Sequence, residues 1–204
     1  FPESEIIIKE NTLFENKRIL INKNLNICLK KNAILEFKNS KIIGNNNKII
    51  FNGCETNPGS VIIQDSNVIL DTIETNNLGA TNKSLRTLYG GLNIINSDFK
   101  VNNLYLKNSN TEDAINFINS KIQVNSMIAR NIKSDALDSD ASNIKINKIN
   151  CENISNDCID LSYSNGDLGE IEASLVRDKA LSIGEKSLVK IKSLKVFDSS
   201  MGLV

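Results

Sequence analysis

Glu112-Asp113-Ala114-Ile115-Asn116-Phe117, Ser134-Asp135-Ala136-Leu137-Asp138-Ser139-Asp140 and Asn156-Asp157-Cys158-Ile159-Asp160-Leu161-Ser162 are three versions of one phrase. Their shared aspartates, Asp113, Asp135 and Asp157, fall 22 residues apart, and the same step reaches Lys179 and Met201. Each is followed by a small residue and then an aliphatic, as in Ala180-Leu181 and Gly202-Leu203. A second set keeps the interval: Ile122, Val124, Met127 and Ala129 return as Ile144, Ile146, Ile149 and Cys151, and stand 23 residues earlier as Phe99, Val101, Leu104 and Leu106. Ile132, Ile154 and Val176 make a further column.

An internal repeat decides the fold before local propensity does. A 22-residue unit is too short for two packed helices with their turns, and it is rich in Ile, Val and Asn, which favour strands and corners. Within each unit, short period-2 runs such as Lys121-Ile-Gln-Val124 alternate with polar stretches. Two or three strands per unit, each stacked about 4.8 Å above its counterpart, give a parallel β-solenoid. The expected fold is therefore all-β, a single right-handed parallel β-helix over 1–204 with about 22 residues per coil. Residues 1–87 fit loosely, with projecting loops at 52–60 and 76–91, and regular coils run from 88 to 204. Roughly one residue in six is Asn, which suits corners because it tolerates left-handed backbone and hydrogen-bonds along a stack.

Composition removes several classes of function. Lys and Arg together number 24 and so do Asp and Glu, leaving no basic field for a phosphate backbone and no nucleic-acid partner. There is no His, so neither a Ser/His nor a Cys/His catalytic pair exists in the chain. Without Trp and with few aromatics, a sugar-stacking groove has little to be built from. No apolar run approaches the roughly 18 residues that span a bilayer. Cys28, Cys54, Cys151 and Cys158 lack CxxC spacing and read as small buried thiols, although an even count permits disulfides. A start at Phe1 reads as a chain whose leader has been removed, and an end at Val204 in mid-unit reads as a truncated solenoid.

The ladder of Glu112–Phe117, Ser134–Ser139, Asn156–Ser162 and Asp178–Ser187 resembles the right-handed parallel β-helix repeat proteins of the pectin-lyase-like superfamily, of the secreted bacterial type. The resemblance implies an extracellular or cell-surface protein and specifies fold far more than activity, since members include polysaccharide lyases, galacturonases, uronate epimerases and adhesins. In the calcium-dependent pectate lyases of this type, aspartates on successive coils hold Ca²⁺ against a uronate carboxylate while a lysine takes the C5 proton. Carried onto this chain, that pattern makes Asp113, Asp135, Asp138, Asp140, Asp157 and Asp160 calcium ligands and Lys179 the base. Ser134 and Asn156 replace the first aspartate of the family's pair, which weakens the carry-over.

The residues alone frame the same cluster electrostatically. With Leu137 and Ser139 inward, alternation turns Ala136, Asp138 and Asp140 outward, and Asp138 lies under Asp160. Carboxylates about 5 Å apart repel by roughly 1 kcal/mol in water and about 3 kcal/mol at an effective dielectric of 20, so the cluster needs a compensator: Ca²⁺, Lys179 or solvent. Arg130 and Arg177 are the guanidinium candidates for a substrate acid. The expectation is a protein that binds, and as a lyase or epimerase processes, an acidic polysaccharide on this Asp-rich face. The alternative is a non-catalytic extracellular scaffold or adhesion module.

Overall fold

A computed structural model of the chain describes residues 4–83 and 86–204; Phe1 to Glu3, and Ser84 and Leu85 within the expected projecting loop, lie outside the described residues. Those described form strands and turns without a helix, so none is long and apolar enough to cross a membrane. Parallel strands stack into a β-solenoid of about 8 turns, at about 23 residues per turn.

Two sheets run the length of the molecule. The long sheet passes from Ser4–Ile8 to Leu188–Phe197 and has 11 strands; the short sheet passes from Thr12–Glu15 to Met201–Leu203 and has 9. Pairing is parallel throughout both, and the one antiparallel pair among the described residues joins Thr81–Lys83 with Arg86–Leu88. The register follows the repeat: Phe99 lies beside Ile122 and Ile122 beside Ile144, Met127 beside Ile149, and Ile132 beside Ile154, itself beside Val176. These columns fill the interior, where Phe99 packs on Phe117 at 5.8 Å between ring centroids. Each fully buried Ile, Leu or Phe there stabilises the coil by about 1.5–3 kcal/mol relative to an exposed one.

Two expectations are corrected. The small residue of the repeat, Ala114, Ala136, Cys158 or Ala180, does not face outward but joins the interior core. The chain is still turning there, and Cα pairing skips from Asp113–Asp135 directly to Ile115–Leu137, so strict alternation starts one residue later than the text suggests. The cysteines are not thiols either. Cys28 is bonded to Cys54 on the neighbouring coil, with 5.6 Å between Cα atoms, and Cys151 to Cys158 across one corner, at 6.0 Å.

The corners carry a hydrogen-bonded serine column that the repeat analysis passed over. The N–H of Ser40 donates to Ser66 Oγ at 2.9 Å, Ser66 to Ser97 at 3.0 Å, Ser97 to Ser120 at 3.0 Å, Ser120 to Ser142 at 2.9 Å, Ser142 to Ser164 at 3.0 Å and Ser164 to Ser187 at 3.1 Å. From Ser40 to Ser164 each hydroxyl turns its own proton back to the carbonyl two residues before it, as Ser97 Oγ does to Ile95 O at 2.7 Å, while Ser187 Oγ donates to Leu161 O at 3.1 Å. A buried N–H that strand pairing cannot reach is thereby satisfied on coil after coil. Separation along this column also measures coil length: 26 and 31 residues for the first two steps, then 23, 22, 22 and 23.

Asparagine stacks beside the serines. Asn96, Asn119, Asn108, Asn131 and Asn153 all hold φ between 48° and 59°, the left-handed region. Their amides form ladders: Asn131 Nδ2 donates to Asn108 Oδ1 at 3.2 Å and Asn153 Nδ2 to Asn131 Oδ1 at 2.9 Å. On the next coil the same corner is Leu175, at φ 54° and exposed, where an L residue other than Asn, Asp or Gly is strained. Leu175→Asn is expected to raise unfolding stability by about 1 kcal/mol by relieving that strain and adding a rung. Urea denaturation of the two proteins checks this; Asn131→Leu is expected to move the midpoint the other way.

Candidate functional site

The repeated aspartates separate into two groups with different occupations. Asp113, Asp135 and Asp157 sit at the entry to the short sheet and are buried. Asp135 Oδ1 accepts the backbone N–H of Asp157 and the amide of Asn156, both at 2.7 Å, and Asp157 Oδ1 accepts the N–H of Lys179 at 2.9 Å. Like the serines, these carboxyls tie one coil to the next. Asp138, Asp140 and Asp160 lie on the outward face and are half-buried, with Asn116 beside Asp138 and Asp138 beside Asp160 in the register, as the spacing predicts.

Asn116 bridges the groups. Its Nδ2 donates to Asp113 Oδ2 at 3.0 Å and to Asp138 Oδ2 at 2.9 Å, so an uncharged N–H donor stands where a cation would have to stand. Backbone N–H groups already occupy an oxygen each of Asp135 and Asp157. Among the described residues no three Asp, Glu or Cys side chains come together in a way that could hold a metal ion. Of the six aspartates, Asp113, Asp135, Asp138 and Asp157 thus give carboxyl oxygens to hydrogen bonds within the fold.

The compensator is the proton, assisted by Lys179. Burial pushes the Asp138 carboxyl up to about 8, with the neighbouring charges of Asp113, Asp140 and Asp160 adding to the effect. Burial raises Asp113 to about 7 against the pull of the Asn116 amide, and Asp135 to about 6 against its two hydrogen bonds from Asp157 and Asn156. Asp140 and Asp157 are raised for the same first reason. At neutral pH the proton is held mainly at Asp138 and in part at Asp113, which eases the like-charge repulsion where those two meet.

Lys179 is placed as a counter-ion. Its Nζ lies 2.6 Å from Asp178 Oδ2 and 3.3 Å from Asp157 Oδ2, and the Asp178 hydrogen bond, with Asp157 behind it, raises its pKa. A general base at neutral pH needs the opposite shift. Arg130 is on the long sheet, paired with Glu152 at 3.0 Å one coil along, and is not brought to the acidic cluster. Arg177 is exposed in the corner just ahead of Asp178.

The long sheet holds what the sequence reading did not single out. Across its outward face a groove of about 820 Å³ is lined by Lys100, Gln123, Lys145, Asn102, Asn125 and Asn147. A neighbouring depression of about 600 Å³ sets Lys121, Lys145 and Lys190 against a single acid, Asp167. Lys100 and Lys190 make no ion pair among the described residues, while Lys145 meets Asp167 at 3.2 Å in an exposed pair that water screens. The text signal was present, since Lys100, Gln123, Lys145, Asp167 and Lys190 follow the repeat interval, but Lys and Asn outside the strand pattern read as solvated surface.

No family model matches the chain, and neither a curated protein nor a solved structure matches it.

The raised carboxyls link stability to pH with a definite sign. Their folded pKa values of about 6, 7 and 8 lie above the ordinary value of 3.8, so their contribution is fully present below about pH 4 and is lost as pH rises through 6 to 8. The thermal midpoint is expected to fall between pH 5 and pH 9, and to fall less in Asp138→Asn, as followed by circular dichroism melts across that range.

Proposed function

We propose that the protein is an exported β-solenoid that binds an acidic polysaccharide along its long sheet without turning it over. The observation carrying this reading is the open groove of about 820 Å³, whose floor repeats Lys, Gln and Asn at one rung spacing over several coils. A polymer of uronic acids presents carboxylates and hydroxyls in regular succession. Lysines at Lys100, Lys145 and Lys190 supply charge-assisted contacts to the first, and carboxamides supply both donors and acceptors to the second. The excess of Lys over Asp on this strip attracts a polyanion, whereas the cluster on the short sheet offers acids already engaged with the protein.

Two features support the cellular side of the reading. Disulfides at Cys28–Cys54 and Cys151–Cys158 persist in oxidising compartments outside the cytoplasm. The repeated Asp-Ala-Leu and Asp-Cys-Ile ladder fits the secreted, pectin-lyase-like type. Binding in preference to turnover follows from Lys179 being held as an ammonium between two carboxylates.

Calorimetric titration with polygalacturonate is expected to show binding that weakens steeply with added salt. Lys100→Ala and Lys145→Ala should each weaken it about 3- to 5-fold, the size of an exposed charge contact. No unsaturated product should absorb in the ultraviolet during long incubation. Absence of binding heat at low salt would remove this reading and leave the stacked scaffold as the protein's role.

A further inference from the structure

The corner column that carries the asparagine ladder changes character along the solenoid. Asn39, Asn96 and Asn119 occupy it at φ 48°, as Asp65 does at 49°, and then come Ala141 at 50°, Tyr163 at 53° and Lys186 at 54°. Left-handed backbone suits Asn and Asp, but a bulky aromatic there is strained. Tyr163 is held in that geometry by its N–H, which donates to Glu185 O at 2.8 Å. Its ring gains nothing from burial in return, being 56% exposed, one of the most exposed large side chains in the molecule. The fold itself would be served better by another Asn.

The surroundings of the ring have a definite chemistry. A groove of about 740 Å³ follows this corner past Asn39, Asn96 and Asn119, flanked by Lys41 and Lys121 and by Asp65 and Asp98, and reaches Ala141. Ala141 offers only a methyl group on the rung before Tyr163, so the ring is not walled off from the groove. On the other side the Lys186 ammonium stands 5.7 Å from the ring centroid. An exposed aromatic ring with an ammonium over one face and the other face open, beyond the end of a carboxamide-lined groove, matches one residue of an acidic sugar: an apolar C–H face and a carboxylate on the same ring.

We propose that Tyr163 and Lys186 form a terminal subsite for a uronic-acid residue, with the pyranose C–H face stacked on the Tyr163 ring and the carboxylate paired with the Lys186 ammonium. The subsite rests on the polyuronate-binding reading above and adds the position where the chain is gripped by stacking as well as by charge.

Stability and affinity should move in opposite directions on one substitution. Tyr163→Asn is expected to raise the thermal midpoint by about 2–4 °C, by relieving the left-handed strain. It should lower affinity for hexagalacturonate about 3- to 10-fold, the scale of one aromatic stacking contact. Tyr163→Phe keeps the ring and should stay within about twofold of the parent, while Lys186→Ala should weaken binding most at low salt. A parent that binds hexagalacturonate and responds to Lys100→Ala, with Tyr163→Asn leaving affinity unchanged, overturns the subsite while sparing the wider reading. A parent that binds no hexagalacturonate overturns both. Loss of stability in Tyr163→Asn would contradict the strain on which the assignment stands.

Discussion

A backbone N–H at each corner, turned away from both sheets, has to find an acceptor on the neighbouring coil. In this protein it finds a serine hydroxyl, six times in succession from Ser40 to Ser164. The contact fixes the vertical register of one coil on the next, because only a residue directly in line can reach. Once register is fixed, the aliphatic columns close the interior, the asparagines stack, and side chains far apart in the text become neighbours. A corner without that acceptor would leave a buried donor unsatisfied, at a cost of about 1–3 kcal/mol on each coil. The N-terminal coils, longer by several residues, keep the same contact.

Much of this architecture could be read directly from residues. Asp113, Asp135 and Asp157, or Ile122 and Ile144, recur at intervals that only a stacked coil explains, and they occupy neighbouring rungs. The serines were invisible for a physical reason. Ser97, Ser120, Ser142, Ser164 and Ser187 keep the repeat interval, and loops break it only between Ser40 and Ser97, but a small polar residue at a corner carries no hydropathy signal. The inward turn of Ala136 and Cys158 was hidden by a local departure from strand alternation, which period-2 logic cannot foresee. Disulfide pairing was hidden because Cys28 and Cys54 are 26 residues apart in text and adjacent only when stacked.

The chemistry of the acidic cluster shows why a motif alone is a weak guide to a site. Six aspartates at repeat spacing read as a cation cage when only their positions are known. Their hydrogen bonds tell another story: Asp135 and Asp157 fasten the following coil, and Asn116 places an N–H donor between Asp113 and Asp138. Desolvation then favours the protonated form of Asp113, Asp135 and Asp138. On the other face lysines and carboxamides share rungs, with Asn102 bonded to Asp71, Asn147 to Asn125 and Lys145 paired with Asp167.

Amide hydrogen exchange at the corner serines probes the stacking contact most directly. The N–H groups of Ser97, Ser120 and Ser142 should exchange as slowly as those of the central strands, although they lie at turns. Ser120→Ala should accelerate the Ser97 amide selectively, since its acceptor is the Ser120 hydroxyl. Exchange of these amides at the rate of an unprotected loop, or a Ser97 amide indifferent to Ser120→Ala, would contradict the account.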